Sequence, residues 1–168
     1  MRINVNSTRG FTLIELVIGM LVLGIGLTMM ATMLFPQADR AAETLHRMRA
    51  AELAQSIMNE VWSKPFDPNT GNGGTPACDA TAANACQYTI TTGSSKPRDQ
   101  FDNLNDYNGL TETANMLNSN QTYVDVYPNY RFRVTVVGDA VTHTKRIQIE
   151  VTTPSNETIR FDAIRSNY

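Results

Sequence analysis

The sequence predicts an α+β fold in which one long N-terminal helix crosses a membrane with its first half and packs on a small antiparallel sheet with its second. Three observations lead there. From Phe11 to Phe35 every position is apolar or small except Glu15. An amphipathic stripe continues beyond that run to about residue 62. The last third of the 168 residues alternates polar and apolar three times over, with turn residues between the repeats.

The apolar run would be roughly 37 Å long as a helix at 1.5 Å per residue. A hydrocarbon core is about 30 Å thick, so one tilted span is expected. Arg2 and Arg9 precede the run and no acid accompanies them. The positive-inside bias then leaves the N-terminus in the cytoplasm and carries the remainder across the membrane. A secretory signal is the competing assignment. Its apolar core is about 7–15 residues and ends at a small-residue cleavage site. This run is longer and ends in MLFPQADR, so it is expected to stay in the mature protein.

Glu15 is the exception that carries information. An isolated acid at the centre of a membrane helix costs about 2.5–3.5 kcal/mol, and less near the interface. Either head groups solvate the carboxylate, or it has a fixed cationic partner. No Lys or Arg lies within two turns on its C-terminal side. Cleavage after Gly10 would create an α-amine on Phe11, one helical turn before Glu15.

Gly10 to Leu16, GFTLIEL, sits behind a short basic leader and ahead of an uninterrupted apolar helix. This pattern resembles the cleavage and N-methylation motif of type IV prepilins and type II secretion pseudopilins. The resemblance implies that a prepilin peptidase cuts between Gly10 and Phe11 and methylates the Phe11 amine. It implies that Glu15 pairs with the Phe11 amine of an adjacent subunit during filament assembly. Major pilins commonly bend this helix with a proline near the position of Thr32; here the first proline is Pro36. That departure looks more like minor pilins than the major subunit, and RGFTLIELVIGMLVLGIGLTMM, the NDYNGL loop and the late strands are similar to those of MSHA-type pili. The implied partners are prepilin peptidase, other major and minor pilins, the inner-membrane pilus assembly platform and membrane lipid. The implied location is the bacterial inner membrane in a single pass, with the C-terminal domain in the periplasm, and then the pilus or a periplasmic pseudopilus.

The expected organisation is a cleaved leader at 1–10, a membrane half-helix at 11–35, a periplasmic half-helix at 36–63 and a globular domain at 64–168. In the second half-helix Ala50, Leu53, Ala54, Ile57, Met58 and Val61 recur at i, i+3, i+4 spacing. Pro36 removes an internal hydrogen bond and allows a bend there. Lys64-Pro65 ends the helix, and Trp62 with Phe66 is expected to close the core.

Residues 65–121 are turn-rich, with one short strand expected in CQYTITTG. Cys78 and Cys86 lie close together in CDATAANAC and no other ligand pattern joins them, so a disulfide is expected rather than a zinc site. Closing that loop would stabilise by roughly 2.5 kcal/mol on the chain-entropy estimate. Asp99, Asp102, Asp106, Asn103, Asn105 and Asn108 offer oxygens of the kind calcium takes, but their spacing matches no EF-hand loop and they are ordinary turn residues. No metal ligand set is expected.

Tyr130, Phe132, Val134 and Val136 share one face of a strand; Ile147, Ile149 and Val151 share that of the next; Ile159, Phe161 and Ala163 share that of a third. QTYVDVY is expected to add a fourth, within a sheet region of about 122–165. His46 and His143 are expected to be exposed. The chain lacks a nucleophile motif, a phosphate loop, a HExxH pair and a dinucleotide fingerprint. No catalytic residue and no cofactor are therefore expected, and a net charge of -2 gives no basic field for nucleic acid. A membrane-anchored periplasmic enzyme or receptor is the reading of another class. It requires a pocket with converging polar groups.

Overall fold

The computed structural model describes residues 10–91 and 93–167, without the side chains of Phe35, Pro36, Ala38, Asp39, Asn72 and Ala82. The leader residues Arg2 and Arg9, and the side chain expected to bend the helix, lie outside that description. The chain divides into two compact units, 1–43 and 44–168.

Helix α1 runs Leu13–Trp62. In the first unit, Leu13–Leu34 is 22 residues long and apolar enough to cross a membrane. Its large apolar side chains are exposed all round: Ile14, Leu21 and Met29 stay 68%, 61% and 66% exposed. A helix with no polar face is stable in lipid or against other helices, not in water. A Cβ placed on Gly19, Gly24 or Gly26 would meet nothing within 4 Å. Thr28 and Thr32 turn their hydroxyls back to Ile25 O and Met29 O, each at 2.8 Å, which hides two polar groups from the apolar surroundings.

The second unit is built on a three-stranded meander of β1 (Arg131–Asp139), β2 (Thr144–Thr152) and β3 (Thr158–Ser166). All neighbours are antiparallel, in the order β1-β2-β3. Val134 stands opposite Ile149, and Ile149 opposite Phe161. Period-2 alternation therefore puts all three on the inner face. The two tight connections need left-handed residues, supplied by His143 (φ 51) and Asn156 (φ 62). The stripe of α1 covers this face: Ala50, Leu53, Ala54, Ile57 and Val61 are buried with Phe132, Val134, Val136, Ile147, Ile149 and Val151. On the edge strand β3, Ile159, Phe161 and Ala163 are only half-buried.

Four expectations need correction. QTYVDVY is not a strand. Thr122 and Asp125 form a capping box, with Thr122 N donating to Asp125 Oδ2 at 2.8 Å, and start a single helical turn, α2 (Tyr123–Val126). CQYTITTG forms no strand in its described residues. The outer edge of β1 is already occupied: Gly109 N donates to Val134 O, Val134 N to Leu110 O, and Val136 N to Asn108 Oδ1. Tyr88 instead presses on the end of β1, where a Cβ on Gly138 would come within 2.7 Å of Tyr88 Cα. Trp62 is 48% exposed, so Phe66 alone is buried at that end of α1. His46 is half-buried and lies 2.9 Å from the Tyr130 hydroxyl.

The turn-rich region does more than connect. Phe101, Leu104, Tyr107, Leu110 and Tyr123 belong to the same core as the sheet. Replacing Ile149, fully buried at the centre of β2, with alanine is expected to cost about 2–5 kcal/mol. Ile164→Ala, on a residue 65% exposed, is expected to change stability by less than about 0.5 kcal/mol. Denaturant unfolding of the two full-length variants in detergent checks the contrast.

Candidate functional site

The structure places Gly10, Phe11 and Glu15 at an open helix start. Gly10 and Phe11 precede α1, Phe11 is 84% exposed, and a Cβ on Gly10 would meet nothing within 4 Å. Thr12 is the residue before the helix. Its hydroxyl accepts from Glu15 N at 3.4 Å, and its carbonyl accepts from Leu16 N at 3.2 Å. Thr12 and Glu15 thus stand at the two polar positions of an S/T-x-x-E start signal, of which the Thr12 half is formed. The carboxylate lies in the first turn of α1, beside the positive end of the helix dipole, which favours it there by about 0.3–1 kcal/mol. Local capping was a signal in the sequence that a purely hydropathic reading of the span passes over.

What this end can do chemically is limited and specific. It presents an exposed Gly-Phe peptide ahead of α1, then one carboxyl group in the first turn of an otherwise apolar rod. The rod needs a partner surface of the same kind, and the charge needs a cation close to the membrane boundary.

Several other polar groups are paired within residues 44–168. Cys78 and Cys86 are joined in a disulfide. Asn167, just past β3, donates to Cys78 O at 2.7 Å, and its own N donates to His143 O at 3.1 Å, so the disulfide loop holds the C-terminal end against the β1–β2 turn. Asp79 in the same loop accepts from Cys86 N at 2.7 Å and from the Tyr88 hydroxyl at 3.0 Å, and His143 Nδ1 lies 3.4 Å away. The Cys86 amide, with smaller help from Tyr88 and His143, holds the Asp79 carboxyl below its usual range. Burial, together with the Asp79 charge, pushes the Tyr88 phenol up to about 12.

These shifts set two pH windows. A depressed carboxyl stabilises above its ordinary value of 3.8, and that stabilisation is lost as pH falls through the lower folded value. A raised phenol favours the folded state below its ordinary value of 10.0, and the advantage disappears as pH climbs to about 12. Thermal midpoints are therefore expected to drop below about pH 4 and again above about pH 10. Tyr88→Phe should make the alkaline drop shallower, although the raised phenols of Tyr107, Tyr123, Tyr127 and Tyr130 keep part of it. It should weaken the acid drop slightly, because the Tyr88 hydroxyl helps hold Asp79 low. An unchanged alkaline slope in that variant would count against the role of Tyr88.

The Asp/Asn-rich loop is occupied by the protein's own cation. Lys96 Nζ lies 2.9 Å from Asp102 Oδ1 and 3.0 Å from Asp106 Oδ2. The Lys96 ammonium, ahead of the Asn103 amide, holds the Asp102 carboxyl low. Asn103 caps Asn105 N at 2.9 Å, and Asn108 spans β1 and Thr91. Among the described residues no three His, Cys, Asp or Glu side chains converge as a metal ligand set. A surface groove of about 740 Å³ runs beside this loop, lined by Ser94, Lys96, Arg98, Asp106 and Asn115. Of its charged groups, Arg98 points into the protein, where it pairs with Glu60 at 2.5 Å and stacks on Phe101 and Tyr107.

Two buried charge sites were not visible in the sequence. One is Arg98–Glu60, which Tyr107 joins through a 2.7 Å hydroxyl bond to Glu60. The other is Lys145–Asp67, at 2.7 Å, with both side chains 0% exposed. Lys145 continues the inner-face parity of Ile147 and Ile149, a signal that a hairpin reading of THTK overlooks.

The sequence matches the prokaryotic N-terminal methylation motif over residues 5–31. The match spans the Gly10-Phe11 junction, Glu15 and most of the apolar segment, and supports a type IV pilin or pseudopilin. Chains with that motif are processed by prepilin peptidase and assemble with other pilins, a structural rather than enzymatic role. The chain matches none of the curated proteins and none of the solved structures compared with it.

Proposed function

We propose that this chain is a minor pilin of a type IV pilus of the MSHA class, resembling the biogenesis protein MshD. Prepilin peptidase cuts after Gly10 and methylates the Phe11 amine. The mature subunit waits in the inner membrane, with its C-terminal domain in the periplasm. It then enters the fibre or primes its assembly, and so supports surface attachment. The observation that carries this reading is the helix start itself. The methylation motif coincides with an exposed Gly10-Phe11 peptide and a capped Glu15 at the head of an all-round apolar helix.

A type II secretion pseudopilin shares every one of these features and is the second reading. The two are separated by phenotype. Deleting the gene should abolish surface fibres and leave protein secretion intact, and the chain should appear in sheared fibre. Loss of secretion with normal fibres would favour the pseudopilin.

Cleavage is tested separately. Gly10→Leu fills the small position before the cut and is expected to leave the leader on, which mass spectrometry reads directly. An unchanged mature N-terminus in that variant would contradict the assigned junction.

A further inference from the structure

Lys145 is buried beside the side-chain amide of Asn105. Its Nζ lies 2.8 Å from Asn105 Oδ1, 2.7 Å from Asp67 Oδ2 and 2.8 Å from Phe66 O. The Phe66 ring covers the same nitrogen, 4.4 Å from the ring centroid. The Lys145 and Asp67 side chains are both 0% exposed. Asp67 Oδ2 also lies 3.5 Å from Asn105 Nδ2. One carboxylate thus touches both the nucleophile and the nitrogen that would leave.

We propose that Lys145 and Asn105 are joined by an intramolecular amide cross-link, formed by transamidation with loss of ammonia and assisted by Asp67. The ammonium of Lys145 passes one proton to the Asp67 carboxylate. The free amine pair attacks Asn105 Cγ, so a C–N bond forms and the carbonyl becomes tetrahedral. A second Nζ proton moves to Nδ2, the Cγ–Nδ2 bond breaks with its electron pair, and NH₃ leaves. Lys145 keeps one N–H in the new amide, and Asp67 keeps the proton it took. Two charges on the reactant side become none on the product side, with no oxidant or other reagent.

Burial favours this outcome in three ways. It disfavours the ammonium and carboxylate relative to the neutral pair, and the burial of Lys145 lowers its pKa against the upward pull of Asp67. It keeps water from the amine and its carboxylate, whose side chains are both 0% exposed. It holds amine and amide in contact, which replaces a bimolecular encounter by a unimolecular one. The bond would tie β2 to the 3-10 turn Leu104–Tyr107.

The test is the mass of the full chain recovered from membranes, reduced and denatured, followed by proteolysis. The expected result is a mass short by one ammonia and a branched peptide joining the segments of Asn105 and Lys145. Asn105→Ala, which removes the electrophile and leaves the Lys145–Asp67 pair, should have its full mass and no branched peptide. Asp67→Asn should have lost most of the cross-link. A wild-type chain at full mass would overturn the proposal and leave an ordinary buried ion pair. An ammonia deficit without the branched peptide would also overturn it, because an Asn-Gly succinimide accounts for the same loss.

Discussion

In the Asn105→Ala background, where the Lys145–Asp67 ion pair stays intact, Lys145→Met is expected to destabilise residues 44–168 by about 3–5 kcal/mol, the cost of leaving a buried charge without its partner. Asp67 would keep its acceptor contacts to Gln87 N at 2.9 Å and Asn69 N at 3.1 Å, but no cation. No water can reach it, because its side chain is 0% exposed. Much of the loss should be regained when Asp67→Asn is added, since the amide needs no counter-charge. The exposed pair Arg160–Glu150, also at 2.7 Å but with side chains 59% and 34% exposed, provides the contrast. Arg160→Met should cost at most about 1 kcal/mol, because solvent already screens that pair. Denaturant midpoints of the full-length variants in detergent decide the matter. Equal losses at Lys145 and Arg160 would show that burial does not govern these pairs.

Glu15→Ala is expected to insert into the membrane and to be cut after Gly10, yet to be recovered in fibres at least about tenfold less, equivalent to about 1.4 kcal/mol of lost pairing. Removing the carboxylate makes the span more apolar, so insertion cannot suffer. Thr12 and its neighbours keep the Gly10-Phe11 peptide outside α1, so the peptidase still finds an accessible junction. What disappears is the one fixed charge available to an amine on a neighbouring subunit. Thr12→Ala separates the two contributions of this turn. It removes the hydroxyl that accepts from Glu15 N but leaves the carboxylate, and should assemble better than Glu15→Ala. Normal fibre entry by Glu15→Ala would remove the pairing role.

Regular periodicity made most of the architecture legible. The stripe from Ala50 to Val61 and the alternation through Val134, Ile149 and Phe161 each state which face is buried, and the sheet order follows from short turns. The reading failed where side chains replace backbone pairing. Asn108 fills the β1 edge that CQYTITTG would have needed. Thr122 and Asp125 close a capping box that overrides the strand preference of YVDVY. Buried charges were illegible for another reason. Lys145 meets Asp67 and Asn105 across 78 and 40 residues, and no local pattern encodes such distances. The N-terminal site was the reverse case. The proposed junction, the acid and the apolar run are contiguous in the sequence, and the structure adds the Thr12 hydroxyl that accepts from Glu15 N.

The central claim is that an acid is tolerated at the head of a membrane helix because processing exposes an amine that a neighbouring subunit can offer to it. The most direct measurement is the N-terminal residue, with its methylation state, of the protein isolated from membranes. The account predicts Phe11 carrying an N-methyl group. A mature chain that still begins at Met1 would contradict it.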